Sequence, residues 1–313
     1  MNNQQSLLMS AIQSNYRFKQ INRVNEQPFL IETERGLKKI RIWDNEAMLK
    51  LHLKWREQLV TDRFFIDRMY VTRSGLPFVR VGHYAVTCHD APYEVAPIAG
   101  HEGLWADLIT HLMMRSRSTP VTEEHFSMAS HVQNVFEQAK TFQVMDHEEW
   151  KLIHSCFSSV FTRAEKADHL RESNKHQMKT FLLPEDFSSH SCTQLFDTLF
   201  CELGQSQPMD GYRLLADLLL REALEHEEQS VHHLLQHLSR NDAIDQRSAD
   251  LMLAQWFEPT EWVQFVYSTV QKDQGIRTDI TVQKFKHVWD QKVRLIHEFS
   301  TLFLQTGASV GGT

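Results

Sequence analysis

Four histidines crowd one stretch in the second half of the chain and are the most visible candidates for chemistry: His226, His232, His233 and His237. His233 and His237 are four residues apart, so on a helix they would share one face, as two ligands of a metal ion do. The stretch has no H-E-x-x-H motif, and its acidic neighbours Glu225, Glu227 and Glu228 are typical of a solvated helix face. We therefore expect structural histidines, mostly exposed, and no bound metal.

Motifs for nucleophilic catalysis and for phosphate binding are missing from the predicted strands and helices. The single G-x-S-x-G match, Gly307 to Gly311, lies in the glycine-rich tail, and Cys156 stands between Ile153 and Phe157 in an amphipathic pattern, as a buried structural thiol would. Neither G-x-x-x-x-G-K-[ST] nor G-x-G-x-x-G occurs. These absences weigh against a catalytic triad and against ordinary nucleotide hydrolysis.

The composition indicates which kinds of partner and which cellular compartment are expected. The formal net charge of −7 gives no positive field of the kind that attracts a protein to phosphate backbones, so nucleic acid is not expected as a partner. No stretch approaches the roughly 20 apolar residues of a membrane span, and the first residues lack a signal-peptide pattern. The four cysteines form no C-x-x-C pair, which favours free thiols. The sequence thus predicts a cytoplasmic protein without a membrane span.

Strand patterns dominate the first part of the chain. A short helix near residues 6–14 precedes a hairpin that turns at Glu34-Arg35-Gly36, and Asp44 can cap the helix that follows. A second group of strands is predicted at residues 68–72, 78–81 and 84–88. With 313 residues, 42% of them hydrophobic, the chain is long enough for a second core beyond this part.

Helical periodicity dominates the chain from Leu104 onward. The apolar spacing predicts helices near residues 104–112, 126–136, 150–161, 212–226, 230–239, 248–257, 260–271 and 282–305. Between Phe181 and Pro208 this pattern fails, and such an interruption is where functional residues are expected. The last residues, Gly307 to Thr313, are glycine-rich and predict a disordered tail.

Several short segments point to a known family: Gly36-Leu-Lys-Lys-Ile-Arg-Ile-Trp43, Trp55-Arg-Glu57, Asp67-Arg-Met69, Thr72-Arg-Ser-Gly75, Ala216-Asp-Leu218 and Leu253-Ala-Gln-Trp-Phe-Glu-Pro259. In these the chain resembles the spore coat kinase-homology family of endospore-forming bacteria (CotS/YutH-like), related to aminoglycoside phosphotransferases, and is most similar to the YutH-like branch. The resemblance implies an α+β, two-lobed protein-kinase-like fold. Its small β-rich N-terminal lobe would span residues 1–88, with a hinge near His89-Asp90, and its larger helical C-terminal lobe residues 89–306.

The resemblance also implies a lysine that neutralises nucleotide phosphates. Lys39, next to Lys38, is the nearest candidate, and Glu46 or Glu57 would be its partner on the following helix. Adjacent lysines in a hairpin are equally well explained as ordinary solvated residues.

The catalytic segment of related phosphotransferases is altered here. Their His-Gly is replaced by Pro184-Glu185, which leaves Asp186 as the candidate catalytic base, and Ser191 stands at the position of a metal-binding asparagine. Glu202 replaces the metal-holding aspartate. Phosphoryl transfer depends on positioning and charge neutralisation, so three such changes favour a protein that has lost catalysis.

The resulting hypothesis is a catalytically degenerate kinase-like protein, or pseudokinase, with a structural or scaffolding role in the spore coat. It would bind other proteins, spore coat proteins among them, would need no cofactor, and would be made in the mother-cell cytoplasm. The alternative is an atypical ATP-dependent phosphotransferase of the aminoglycoside or choline kinase type. In that case Asp186 is the base, Lys39 binds phosphate, and Glu202 or Asp210 binds magnesium.

Overall fold

The computed structural model describes residues 3–92, 94–116, 126–141, 148–175, 180–195, 197–226, 228–273 and 280–304. The tail expected at residues 307–313 lies outside these ranges. The chain forms two compact units. The first consists of Met1–Pro97, Met114–Ser116 and Leu182–Met209, and the second of Ile98–Met113, Arg117–Phe181 and Asp210–Thr313.

The first unit contains most of the strands. Its elements are α1 (Asn3–Tyr16), β1 (Ile21–Glu26), β2 (Phe29–Thr33), β3 (Gly36–Trp43), α2 (Glu46–Leu59), β4 (Phe65–Ile66), β5 (Val79–Val81), β6 (Tyr84–Asp90), β7 (Leu182–Pro184), β8 (Cys192–Leu195) and β9 (Thr198–Cys201), and β10 (Pro208–Asp210) begins in it. Five strands form an antiparallel sheet in the order β1-β2-β3-β6-β5. The expected hairpin is confirmed: β2 and β3 meet at a turn in which Gly36 has φ +82°, a conformation that favours glycine.

Strand β3 presents different chemistry on its two faces, because successive side chains of a strand point in opposite directions. Ile40 packs into an apolar cluster with Ile12 and Phe18. Lys39 and Arg41 are two residues apart and therefore lie side by side on the opposite face.

The strand predicted at residues 68–72 does not form. Met69 makes only an isolated bridge to His89, and the Thr72 backbone N–H donates to the carbonyl of Leu76 instead of to a neighbouring strand. The turn at this point contains Gly75 with φ +79°. Two backbone hydrogen bonds, from Tyr70 to Cys88 and from Asp90 to Arg68, join this segment to β6, and the chain then turns at Thr72, which ends strand pairing there.

A second sheet of the first unit joins distant parts of the chain. It has the order β4-β9-β8, with β4 parallel to β9 and β8 antiparallel to β9. The single boundary predicted between residues 88 and 89 therefore differs from the observed division. Strand β6 continues to Asp90, and residues 182–209 of the expected helical lobe belong to the first unit.

The second unit is helical. Its helices are α3 (Glu102–Arg115), which runs into a short piece of the first unit, α4 (Met128–Lys140), α5 (Glu148–Asn174), α6 (Gly211–Glu225), α7 (Glu228–Ser239), α8 (Gln246–Phe257), α9 (Thr260–Asp273) and α10 (Val282–Phe303). They match the periodicity of the sequence because each buries one apolar face; Phe136, Trp150, Trp262 and Phe285, for example, share one core cluster. The predicted α+β class, with a small N-terminal β-sheet region and a helical C-terminal part, is confirmed. None of the described helices combines the length and apolar character that a membrane crossing requires.

Candidate functional site

The first unit contains a polar cavity of about 320 Å³. Its wall brings together residues from β3, from the segment after β7 and from the end of β9: Lys39, Asp186, Ser188, His190, Ser191, Glu202 and Gly204. Three of the four candidate site residues, Lys39, Asp186 and Glu202, line this one cavity. They are separated by up to 163 residues in sequence.

Lys39 is not an ordinary solvated lysine. Its Nζ lies 2.5 Å from Oε2 of Glu202, and both side chains are 23% exposed. The helix glutamates proposed as its partner are placed elsewhere. Glu46 pairs with Arg80 and Lys50, and Glu57 is exposed. The predicted pairing of Lys39 with α2 is therefore wrong, and the carboxylate comes from the end of β9.

Arg41 is a second cation at Glu202. One guanidinium nitrogen, Nη2, lies 3.3 Å from Oε2 of Glu202, and the other, Nη1, donates to Oδ1 and Oδ2 of Asp67 at 2.7 and 2.9 Å. Burial by itself would raise the pKa of Asp67, but the charge of Arg41, with His89 beside it, outweighs burial and holds that pKa well below its usual range. Asp67 therefore stays ionised as a buried counter-ion.

His89 extends this buried network. Its Nδ1 lies 3.3 Å from Oδ1 of Asp67, and its Nε2 lies 2.8 Å from the Thr87 hydroxyl, which also accepts the indole N–H of Trp43. Burial is the largest cause of a lowered pKa of His89, and the nearby carboxylate opposes it only in part. His89 is therefore neutral at pH 7, and the net charge of the network comes from arginine, lysine and the two carboxylates.

The segment that carries Asp186 is closed by its own hydrogen bonds. The N–H of Phe187 donates to the carbonyl of Pro184 at 3.0 Å. The Ser191 hydroxyl accepts the N–H of Ser188 at 3.0 Å and donates to the carbonyl of Asp186 at 3.1 Å. Ser191 thus stabilises the turn itself, and its oxygen also lies 3.4 Å from the Ser188 hydroxyl.

Pairing of β8 with β9 sets the distance between the two sides of the cavity. The N–H of Glu202 donates to the carbonyl of Ser191 at 2.9 Å, immediately beyond the opposed residues Cys192 and Cys201. Ser191 and Glu202 are therefore neighbours across two strand ends.

All four cysteines of the chain are free thiols, as expected.

Gly204 is required beside Asp186. Its φ of +67° is in the left-handed region, and a Cβ at this position would lie 3.1 Å from Oδ1 of Asp186. The Ser206 hydroxyl is 3.4 Å from the same oxygen. The absence of a side chain at Gly204 lets the aspartate approach the backbone that follows Glu202.

Asp210, the fourth candidate, has a structural role in the second unit. Its carboxylate caps α6, accepting the N–H of Tyr212 at 3.3 Å and the hydroxyl of Thr180. A helix cap satisfies backbone donors that would otherwise lack partners.

Three of the four clustered histidines, His232, His233 and His237, lie in α7, whereas His226 caps the C-terminal end of α6. His232 is paired with Glu298 of α10, and His237 lies against Gly103. Within the ranges that the structure describes, no three or more His, Cys, Asp and Glu side chains are grouped as a metal site.

The sequence reasoning overlooked three residues of the site: Arg41, Asp67 and Gly204. Arg41 had a usable signal, because it is two residues from Lys39 on a strand and must share its face. Asp67 lies in the segment Asp67-Arg-Met69 that carries the family resemblance, but nothing in that segment indicates its contact with Arg41, 26 residues away in sequence.

Comparison with solved structures gives the fold. The aminoglycoside phosphotransferase from Alicyclobacillus acidocaldarius subsp. acidocaldarius DSM 446 aligns over 95% of this chain and 95% of its own, with a TM-score of 0.67 and 12% identity. Spectinomycin phosphotransferase APH(9)-Ia, in complex with ADP and spectinomycin, aligns over 94% and 98% with a TM-score of 0.51 and 10% identity. No family model matches the sequence. No curated protein matches it either. At these identities the likeness concerns the fold, and the chain has the aminoglycoside phosphotransferase variety of the kinase-like fold.

Proposed function

We propose that this protein is an ATP-dependent phosphotransferase that acts on a hydroxyl group of a small polar molecule. The observation that carries the proposal is the cavity in which Lys39, Asp186 and Glu202 meet. Phosphoryl transfer needs a cation on the nucleotide phosphates, a carboxylate for magnesium and a base that accepts the acceptor's proton. These three residues are of the required types and line one wall.

Each residue has a role that its surroundings support. Lys39 is partly exposed, so its ammonium group can turn from Glu202 to a phosphate. Asp186 is the base that receives the hydroxyl proton of the acceptor. The small-molecule acceptor is supported by the fold alone, since the two similar structures are an aminoglycoside and a spectinomycin phosphotransferase.

The donor set fits a magnesium ion that is shared with a nucleotide. Mg²⁺ prefers oxygen ligands and is commonly held by one or two carboxylates together with substrate phosphates and water. Glu202 and the Ser191 hydroxyl supply such oxygens around one cavity. The ion would neutralise phosphate charge there.

The test is to measure ATP binding and transfer of labelled γ-phosphate to a panel of aminoglycosides, amino alcohols and sugars. Wild type should transfer phosphate in the presence of Mg²⁺, and both Lys39→Ala and Asp186→Asn should lose transfer. Lys50→Ala is the matched control, because Lys50 is an exposed lysine paired with Glu46 and does not line the cavity. Equal transfer by wild type and Asp186→Asn would contradict the assignment of the base.

A second candidate is the catalytically degenerate scaffold, associated with the spore coat and bound to other coat proteins in the mother cell. Two observations favour it. The Ser191 hydroxyl is already engaged by its own turn, and Glu202 is already neutralised by Lys39 and Arg41. ATP binding separates the candidates, because a ligand at a hundred times its Kd stabilises the folded state by about 2.7 kcal/mol. No rise in unfolding temperature with millimolar ATP and Mg²⁺ would favour the scaffold.

A further inference from the structure

Glu202 has two cationic partners that differ in their access to solvent. Lys39 is 23% exposed and lines the cavity, whereas Arg41 is 4% exposed and does not line it. A ligand in the cavity can therefore take Lys39 away from Glu202, but it cannot reach Arg41. The two cations are not equivalent even though both contact the same carboxylate oxygen.

Arg41 is fixed from behind by Asp67. The Nη1 group donates to both Asp67 oxygens, and the Asp67 side chain is only 5% exposed. The planar guanidinium can bridge two carboxylates at once, which a lysine ammonium group cannot do with the same geometry.

Asp67 is in turn tied to the chain next to Glu202. Its backbone N–H donates to the carbonyl of Cys201 at 2.7 Å, and its own carbonyl accepts the Nε–H of Arg56 at 3.0 Å. Arg41, Asp67 and the backbone before Glu202 thus form one connected assembly. The side chain of Lys39 contacts this assembly at Glu202.

We propose that Arg41 is a positioning residue, which holds the Glu202 carboxylate in place when Lys39 leaves it for a ligand phosphate. Without Arg41, removal of Lys39 would leave Glu202 without a cationic side chain beside the negative charges of the ligand, and magnesium alone would oppose the repulsion of the carboxylate from its position. With Arg41, the charge and direction of Glu202 are maintained from the buried side. This inference rests on the proposed nucleotide-binding function of the cavity.

The first experiment does not depend on nucleotide binding. A crystal structure of the Lys39→Gln variant without ligand should show Oε2 of Glu202 still within hydrogen-bond distance of Arg41. If the carboxylate has turned away from Arg41, the positioning role is excluded, whatever the cavity binds.

The second experiment is a double-mutant cycle on the affinity for ATP with Mg²⁺. Arg41→Gln should weaken binding roughly tenfold to a hundredfold, the value of a charge-assisted hydrogen bond. In the Glu202→Gln background the same change should have little further effect, because Arg41 acts through Glu202. An equal loss in both backgrounds would mean that Arg41 acts on the ligand or on folding, and would overturn the proposal.

Two further variants distinguish a loss of ATP affinity from a loss of folding. Removing Arg41 alone leaves Asp67 buried and unpaired, so the cycle is repeated with Arg41→Gln combined with Asp67→Asn, which removes both charges. Arg41→Lys keeps the charge and should recover part of the lost affinity. If wild type binds no ATP, the proposed function fails, and the structure of Lys39→Gln alone decides the role of Arg41.

Discussion

Lys292 on α10 is the centre of a buried ion network in the second unit, and its replacement should strongly destabilise the fold. Its Nζ donates to the carbonyl of Glu258 at 2.7 Å, to the Thr260 hydroxyl at 2.9 Å and to Oε2 of Glu261 at 2.7 Å. Arg163 binds the other oxygen of Glu261 at 2.7 Å. Burial alone would raise the pKa of Glu261, but Lys292 and Arg163 together lower it, so the carboxylate stays charged.

Lys292→Met keeps most of the length of the side chain and removes the ammonium group that donates all three hydrogen bonds. Breaking one side of a buried pair costs about 3–5 kcal/mol, and the lower end applies because Arg163 still contacts Glu261. Lys272→Met is the matched control, since Lys272 is 41% exposed and pairs with Glu149 at 3.3 Å on the surface. Such exposed pairs contribute about 0–1 kcal/mol.

Urea unfolding followed by far-UV circular dichroism measures both variants. Lys292→Met should unfold at a clearly lower urea concentration than Lys272→Met, and adding Glu261→Gln to Lys292→Met should cost less than the sum of the single changes. If the two lysine variants differ from each other by less than about 1 kcal/mol, the buried network does not stabilise this unit and the reasoning is refuted.

Three further predictions concern the first unit and the thiols. Gly204→Ala and Gly82→Ala should each lose about 1–2 kcal/mol in urea unfolding because both glycines have positive φ, but only Gly204→Ala should lower phosphate transfer, since its Cβ crowds Asp186. Equal transfer by the two variants would contradict this. His89→Gln should flatten the pH dependence of stability. Burial lowers the pKa of His89, so the stability that neutral His89 contributes is present above about pH 6.5 and is lost as the pH falls further. The free energy of unfolding then falls by up to about 1.4 kcal/mol per pH unit. An unchanged slope of unfolding free energy against pH between pH 6.5 and 5 in the variant would exclude this role. In native protein a thiol reagent should label Cys156 first, because the other three thiols are buried, and mass spectrometry of the labelled peptides identifies the site.

The sequence by itself determined the local elements. The helices α3 to α10 follow from apolar residues that recur at helical spacing, and the β2–β3 hairpin follows from its glycine turn. These features depend on neighbouring residues, so a short window of sequence contains the whole signal. The same locality explains the error at residues 68–72, where a strand-like composition makes a single bridge to β6 and then turns at Thr72.

The candidate site could be predicted only in part. Lys39, Asp186 and Glu202 were found through short segments that resemble kinase-like proteins, and they do meet in one cavity. Asp210 was the alternative to Glu202 as the magnesium ligand, and in the structure its carboxylate caps α6. A carboxylate suits both tasks, and sequence does not distinguish them.

Tertiary structure decided which charges meet. The pairing of Lys39 with Glu202 spans 163 residues, and that of Arg41 with Asp67 spans 26. Lys39 and Arg41 lie on β3, whereas Glu202 follows β9 and Asp67 follows β4, and contacts between such distant segments leave no pattern in either segment alone. For this reason most of the charged residues of the site could be identified from the sequence. Which of them contact one another was set by the packing of the sheet.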